Sequence, residues 1–292
     1  MIQSSIQYDL IALDLDGTLV APGERISEAS HDAISAAQAA GVRVVPCTGR
    51  AWKEAAAVLK GVSGLDVGVF SSGSVVADFR TGKVLDTASF ALDLVHDVVE
   101  LLSQWPCPVL VFQNAQQTGR DFLIAGRGVL PDSTYAWFER NDLAVDTIPS
   151  PSIDDLAHTL RVGIVAPSKI IDTAERAVNE QFEGRVNAHS LTGIAATVGA
   201  NGEQLYLLEI FNAGVNKWRG LYWLAQHLDI APHRVAAMGD EVNDLAMLKG
   251  AALGVAMGGA SEAVMAAANR TTHPCAQDGV AHAIEQILNG TW

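Results

Sequence analysis

The sequence is short of positive charge and of cysteine. Its 292 residues include 19 Lys and Arg against 33 Asp and Glu, which gives a formal net charge of -14 at pH 7. Surfaces that bind nucleic acid or anionic membranes need clustered basic side chains, so this charge argues against both classes of partner. The three cysteines, Cys47, Cys107 and Cys275, are widely separated and form no CxxC pair. A disulfide framework and a zinc knuckle are therefore unsupported, and we expect a reducing, cytoplasmic setting.

Long apolar runs and several catalytic signatures are also missing. The chain has no run of about 18 apolar residues and no basic segment in its opening MIQSSIQYDL, so we expect neither a membrane span nor a signal peptide. It has no GxSxG elbow, Walker A loop, GxGxxG fingerprint or HExxH pair, and the histidines are expected to have structural or surface roles. With 49% hydrophobic and 18% charged residues, the composition is that of a globular protein.

Two blocks at the ends of the chain alternate strands with helices. The first block runs from a strand at about 8–14 through ISEASHDAISAAQAA, RVVPCT and AWKEAAAVLK to DVGVF. Ser27 is expected to cap its first helix and Gly41 to end it. The second block consists of NKWRGLYWLAQHL, RVAAMGD, DEVNDLAMLK and AALGVAM. Such alternation predicts an α/β, doubly wound (Rossmann-like) core with a parallel sheet.

The middle of the chain follows a different pattern. It combines helices at 92–104, near 131–140 and after Ser168 with the strand-like segments PVLVFQN, DFLIAG and LRVGIVAP. GIAATVG and EQLYLLEIF then flank Asn201-Gly202, a strong signal for a two-residue hairpin. We therefore predict an α+β domain at 86–210, inserted into a core formed by 1–85 and 211–292.

Carboxylates and small polar groups follow the predicted strands of the core. They are Asp14 and Asp16, Thr48-Gly49-Arg50, Ser71-Ser72-Gly73, and Gly239-Asp240. In an open parallel sheet, ligands bind outside the carboxyl ends of the strands. Crowded carboxylates repel one another unless a cation neutralises them, and an all-oxygen cluster is what Mg2+ prefers, so a divalent metal is implied. The two-residue step from Asp14 to Asp16 is expected to direct both side chains to the same side.

Two helix starts contribute further polar groups. A helix that begins after Gly239 would place Asp240, Asn243 and Asp244 on one face near its N-terminus. Lys217 begins the other helix, with Asn216 as its expected N-cap, and a positive charge there suits a phosphate. Each residue taken alone has a simpler interpretation, because such a lysine is commonly solvated and such an aspartate commonly caps a helix. Thr48 alone would commonly cap the helix that follows it.

Four motifs in order carry a resemblance to a known family. They are DLDGTL at 14–19, TGR at 48–50, Lys217 in GVNK, and GDEVNDLAML at 239–248. Together they resemble the haloacid dehalogenase-like (HAD) hydrolases, specifically the Cof-type branch, whose α/β cap is inserted between the second and third motifs. GVAMGGASEAV at 254–264 and DGVAHAI at 278–284 are also similar to stretches of that branch. The inserted segment 86–210 would then be the cap that sets substrate specificity.

The resemblance implies a role for each matching residue. Asp14 matches the nucleophile that forms an aspartyl-phosphate, and Asp16 matches the acid/base. Thr48 matches a hydrogen-bond donor to the transferring phosphoryl group, and Lys217 matches the lysine that neutralises its charge. The implied Mg2+ ligands are Asp14, Asp16 through its backbone carbonyl, Asp240 and Asp244. The implied substrate-binding residues are Thr48, Gly49, Arg50, Lys217 and Asn243.

These roles predict a Mg2+-dependent phosphatase acting on a small phosphorylated metabolite, for example a sugar phosphate. A phosphotransferase or phosphomutase on the same scaffold is one alternative, and a non-catalytic metal- or phosphate-sensing protein is another. No obligatory protein partner is evident. The sequence departs from the branch at Ser72-Gly73, where an Asn-Gly pair is usual, and at Gly259, where AMGNA is common. These departures bear on substrate or phosphate geometry and leave the implied catalytic residues intact.

Overall fold

The computed structural model describes residues 7–192 and 202–292. The first part of the chain contains β1 Leu10–Leu13, α1 Glu28–Ala39, β2 Arg43–Pro46, α2 Trp52–Val58, β3 Val67–Phe70, β4 Val75–Asp78 and β5 Val84–Thr87. The middle contains α3 Leu92–Leu102, β6 Pro108–Gln113, α4 Ala115–Thr118, β7 Phe122–Gly126, α5 Asp132–Arg140, β8 Val145–Thr147, β9 Thr159–Pro167, α6 Ser168–Gln181, β10 Val186–Thr192 and β11 Leu205–Asn212. The last part contains α7 Lys217–His227, β12 Val235–Gly239, α8 Leu245–Gly250, β13 Leu253–Ala256, α9 Glu262–Ala267, β14 Arg270–Thr271 and α10 Gly279–Leu288.

The chain divides into two compact units. One unit combines the chain up to Asp86 with Asn216–Trp292, and the other is Thr87–Val215. The second unit is therefore an insertion in the sequence of the first. Within the described residues, no helix is both long enough and apolar enough to cross a membrane.

The first unit is built on a parallel sheet with the strand order β14-β13-β12-β1-β2. Beyond β2, a single parallel bridge between Cys47 and Val69 attaches β3, which pairs antiparallel with β4. Every residue of β1 is buried, as expected for a central strand covered on both faces. Leu10 and Ala12 pack in a cluster that includes Leu221 of α7. The predicted α/β parallel core is confirmed.

Local capping explains where two helices of this unit begin. The Ser27 side chain accepts a hydrogen bond from the backbone N–H of Ser30, and the Asn216 side chain accepts one from the backbone N–H of Arg219. Both side chains satisfy a donor that the first helical turn leaves without an intrahelical partner. Asn216 thereby fixes Lys217 as the first residue of α7.

The second unit is a six-stranded sheet with the order β10-β11-β9-β6-β7-β8. Helices α3 and α6 bury their apolar sides against one face of this sheet. The segment GIAATVG and Asn201 of the predicted Asn201-Gly202 hairpin signal lie within residues 193–201, outside the described residues. The flanking strands β10 and β11 pair antiparallel. The short strands β4, β5 and β8 and the helices α9 and α10 were not predicted from the sequence.

Candidate active site

The chain turns sharply where β1 ends, and this turn places Asp14. Its backbone N–H donates to the carbonyl of Met238 at 3.0 Å, and its side chain is buried. Residues 15–20 then fold back, with the Val20 N–H donating to the Leu15 carbonyl at 2.7 Å. Gly17 has a φ of 82°, and a Cβ there would lie 2.2 Å from Asp240 Oδ2. Only glycine allows this turn to pass so close to the Asp240 carboxylate.

Lys217 is buried between two carboxylates. Its Nζ lies 2.5 Å from Asp14 Oδ1 and 2.6 Å from Asp244 Oδ1, and the residue is 1% exposed. The interpretation of Lys217 as a solvated lysine at a helix start is therefore wrong. Asn216 caps α7, and Lys217, the first residue of the helix, contacts Asp14 at the end of β1. The position of Lys217 at a helix start did not predict this contact.

Asp244 connects the lysine to the segment after β12. Its Oδ2 accepts hydrogen bonds from the backbone N–H groups of Asp240 and Glu241, both at 2.9 Å, while its Oδ1 faces Lys217. A Cβ on Gly239 would lie 2.4 Å from Asp244 Cγ, so the carboxylate occupies the space that a side chain there would fill. The predicted helical face of Asp240, Asn243 and Asp244 is wrong, because Glu241 has extended backbone and the chain becomes helical only at Val242.

Asp240 is held from the other side by the turn after β1. The Thr18 hydroxyl donates to Asp240 Oδ1 at 2.6 Å. Thr18 is 1% exposed and was not predicted as a site residue, although it belongs to the motif DLDGTL. The carboxylates of Asp14, Asp240 and Asp244 each offer an oxygen, and these oxygens lie within 4.8 Å of one another.

Burial and mutual repulsion dominate the electrostatics of this cluster. Burial, followed by the charge of Asp244, raises the pKa of Asp14 well above its ordinary value despite the opposing effect of Lys217. Burial also raises the pKa of Asp240 to about 6, against the hydrogen bond from Thr18. Burial by itself would lower the pKa of Lys217, but the charges of Asp14 and Asp244 outweigh it and raise that pKa. The carboxylates thus keep Lys217 charged. The single ammonium group does not compensate the negative charge of the carboxylates, so the pKa values of Asp14 and Asp240 stay raised.

The donor set fits a hard divalent cation. Two of the three carboxylates, those of Asp14 and Asp244, pair with the Lys217 ammonium group, and oxygens of all three, with Asp240, lie close together. Mg2+ prefers oxygen ligands and is usually bound through one or two carboxylates together with waters. Because both Asp244 oxygens already accept hydrogen bonds, Asp14 and Asp240 are the better placed direct ligands, with Asp244 orienting Lys217.

Asp16 lies apart from these carboxylates. Its side chain is 59% exposed, and its two oxygens pair with Arg50 Nε at 2.8 Å and Arg50 Nη2 at 2.7 Å. Arg50 also contacts Glu24 at 3.1 Å. The expectation that Asp14 and Asp16 point to the same side is wrong, because β1 ends at Leu13 and strand alternation does not continue through the turn.

Thr48 and Gly49 follow β2 and lie beside the turn that follows β3. Thr48 is 1% exposed, and its Oγ1 accepts a hydrogen bond from the Arg50 N–H at 3.1 Å. A Cβ on Gly49 would lie 3.4 Å from Ser72 Oγ and 3.7 Å from Asn243 Nδ2. The structure therefore brings Asn243 next to the TGR motif, together with Ser72, which was not predicted as a site residue.

Comparisons with known proteins agree with this arrangement. The family of haloacid dehalogenase-like hydrolases matches residues 11–284, and the chain belongs to this family. It is similar to "Putative phosphatase YxeH" of Bacillus subtilis, with 28% identity over 96% of this chain and 98% of the relative. It is also similar to the 5-amino-6-(5-phospho-D-ribitylamino)uracil phosphatase YcsE of Bacillus subtilis, with 27% identity over 97% of this chain and 96% of the relative.

A solved structure extends the similarity to three dimensions. The crystal structure of a haloacid dehalogenase-like hydrolase from Bacteroides thetaiotaomicron matches with a TM-score of 0.72 and 25% identity, over 96% of this chain and 99% of that chain. The resemblance inferred from the motifs is confirmed, and so is the prediction that the protein is an enzyme of the hydrolase class.

Proposed function

We propose that this protein is a Mg2+-dependent phosphatase that hydrolyses a phosphate monoester of a small metabolite through an aspartyl-phosphate intermediate. The observation that carries the proposal is the buried Asp14 carboxylate, held 2.5 Å from Lys217 Nζ inside the Asp14, Asp240 and Asp244 cluster. Two relatives along the full chain, YxeH and YcsE, have names that describe phosphatases. The name of YcsE describes a small phosphorylated metabolite as the substrate of that relative, which supports a small phosphorylated metabolite as the substrate class of this protein.

The first chemical step joins Asp14 to phosphorus. A carboxylate and a phosphate dianion repel each other, so positive charge must be drawn close to the phosphoryl oxygens before the attack. Lys217 supplies part of that charge from its buried position. Mg2+ held by Asp14, Asp240 and the Asp16 carbonyl would supply the remainder. One Asp14 oxygen forms the new bond to phosphorus as the bond from phosphorus to the ester oxygen breaks.

Asp16 is the proposed proton carrier in both halves of the reaction. It gives a proton to the departing ester oxygen, and it then takes one from the water whose oxygen attacks phosphorus and frees Asp14. Its exposed carboxylate, paired with Arg50, is accessible from solvent and not buried with the nucleophile. For proton transfer, the Asp16 carboxylate must therefore break its ion pair with Arg50 and form a hydrogen bond with the ester oxygen.

Thr48, Gly49, Arg50 and Asn243 are proposed to contact the substrate, and Thr48 would hydrogen-bond the transferring phosphoryl group. The inserted segment 86–210 is proposed to recognise the leaving group as a cap. Substrate selection by a separate unit would let one catalytic core serve many metabolites. We propose a cytoplasmic setting, where free thiols such as the buried Cys47 and Cys107 persist.

The test compares phosphate release by the wild type and by Asp14→Asn, with Mg2+ and an aryl phosphate. We expect the wild type to release phosphate and Asp14→Asn to lose at least 99% of that activity, on the order of the loss when a covalent nucleophile is removed. Asp66→Asn is the matched control, since Asp66 is exposed at the opposite end of β3. Equal activity in the Asp14→Asn variant would refute the nucleophile assignment, and phosphate recovered on a second sugar would indicate a phosphotransferase.

A further inference from the structure

The turn that follows β3 buries two hydroxyl groups that make no hydrogen bond. Ser71 and Ser72 are 1% and 5% exposed, and within the described residues neither Oγ has a partner. Buried polar side chains in folded proteins nearly always have a partner, because water is lost without compensation otherwise. An unpartnered hydroxyl in a catalytic core is a group available to a ligand.

Backbone contacts fix this turn against the TGR motif. The N–H of Ser71 donates to the Arg50 carbonyl at 2.9 Å, and the N–H of Ser72 donates to the Thr48 carbonyl at 3.0 Å. Gly73 lies against the start of α7, since a Cβ there would be 2.0 Å from the carbonyl oxygen of Asn216. The turn is therefore positioned by the segment that carries Thr48 and by the residue that caps the Lys217 helix.

The Ser72 hydroxyl lies beside Gly49. It lies 3.4 Å from the position that a Cβ on Gly49 would take, and Asn243 Nδ2 lies 3.7 Å from the same point. Asn243 Oδ1 is also buried without a hydrogen-bond partner among the described residues. The Ser71 hydroxyl is not within 4 Å of this point, so the two serines of the turn differ.

We propose that Ser72 is a further substrate-binding residue, and that its hydroxyl hydrogen-bonds a phosphoryl oxygen of the substrate beside Gly49 and the Asn243 amide, which is already assigned to the substrate. Both groups can donate a hydrogen bond, whereas a fully ionised phosphoryl group can only accept. Hydrogen bonds to charged acceptors are the stronger kind. The identity of the ligand rests on the proposed phosphatase function, whereas the two donors would suit any small oxyanion.

The test measures binding of inorganic phosphate to the full chain with Mg2+ by calorimetry. We expect Ser72→Ala to raise the Kd for phosphate about tenfold, as the loss of one hydrogen bond to a charged group would. Ser72→Gly should raise it to the same extent, because it removes the same hydroxyl while relaxing the left-handed backbone, whose φ is 55°. Ser71→Ala is the matched control and should leave the Kd unchanged.

The thermal stability of the phosphate-free variants separates binding from structure. Removing an unpartnered hydroxyl should leave the Tm of Ser72→Ala the same or higher, whereas a structural hydroxyl would lower it. An unchanged Kd in Ser72→Ala, a wild type that binds no phosphate, or a fall in Tm that accompanies the loss of affinity would each overturn the proposal. Binding that depends on Ser72 in a wild type that hydrolyses no ester would support this subsite and refute the phosphatase function.

Discussion

Replacement of Lys217 by methionine would test the buried charge balance of the core. Methionine keeps an unbranched side chain of similar length but leaves Asp14 and Asp244 without the ammonium group that lies 2.5 and 2.6 Å away. Breaking a buried ion pair by removing one partner costs roughly 3–5 kcal/mol, because the remaining charge stays buried and uncompensated. We expect the free energy of unfolding of metal-free Lys217→Met at pH 7.5 to fall by about that amount.

The pH dependence of this loss follows from the pKa shifts. Asp14 and Asp244 raise the pKa of Lys217, so its stabilising effect is fully present below the ordinary lysine pKa of about 10.4. In the variant, Asp14 loses Lys217, which opposes the upward shift of its pKa. Asp14 can then relieve its repulsion with Asp244 by binding a proton. The loss should therefore be smaller at pH 5.5 than at pH 7.5.

Urea unfolding followed by tryptophan fluorescence would measure this change. Lys60→Met, at an exposed position, is the control and should alter the free energy of unfolding by less than about 0.5 kcal/mol. Mg2+ should restore part of the stability of Lys217→Met, because a cation compensates the same carboxylates. A loss below about 1 kcal/mol in the metal-free variant, with no dependence on pH, would refute the reasoning.

Three further predictions concern pH, packing and capping. The Tm of the metal-free protein should rise as the pH is lowered from 7.5 to 5.5. The reason is that Asp240, with its pKa raised to about 6, binds a proton more tightly in the folded than in the unfolded state. Saturating Mg2+ should remove this rise. Gly250→Ala should lower the free energy of unfolding by about 1–3 kcal/mol in chemical denaturation, because its Cβ would lie 2.2 Å from the Trp218 ring. Ser27→Ala should lower it by about 1 kcal/mol, since α1 loses its N-cap.

Each of these predictions has an internal control. Asp240→Asn should show a weaker rise of Tm on acidification, and an equal rise would assign the effect to another group. Gly214→Ala should be tolerated, since the nearest atom to its Cβ is 3.9 Å away. Ser35→Ala removes a hydroxyl of α1 that bonds the His31 carbonyl, away from the helix start, and should cost less than Ser27→Ala.

Regular elements of the core were predictable where periodicity and caps agree. The alternation of apolar segments, Ser27 before α1 and Asn216 before α7 specified strands and helices that the structure contains. The strand β4 was not predicted, although it has the same length as β1, which was. The segment after Gly239 was predicted as helical because its polar residues recur at helical spacing. Its start is extended at Glu241 instead, because the Asp244 side chain bonds the backbone N–H groups of Asp240 and Glu241, and the chain becomes helical only at Val242.

By itself the sequence determined which residue types stand at the strand ends, because runs of buried apolar residues and the motifs after them are local features of the chain. Only the tertiary structure decided which of these groups meet. Lys217 follows Asp14 by 203 positions, and its burial at 1% exposure depends on the cap of α7 and on the pairing of β12 with β1. Likewise, the turn after β1 separates Asp16 from Asp14 and pairs it with Arg50. Contacts between groups so distant in sequence are set by packing, which no local pattern encodes.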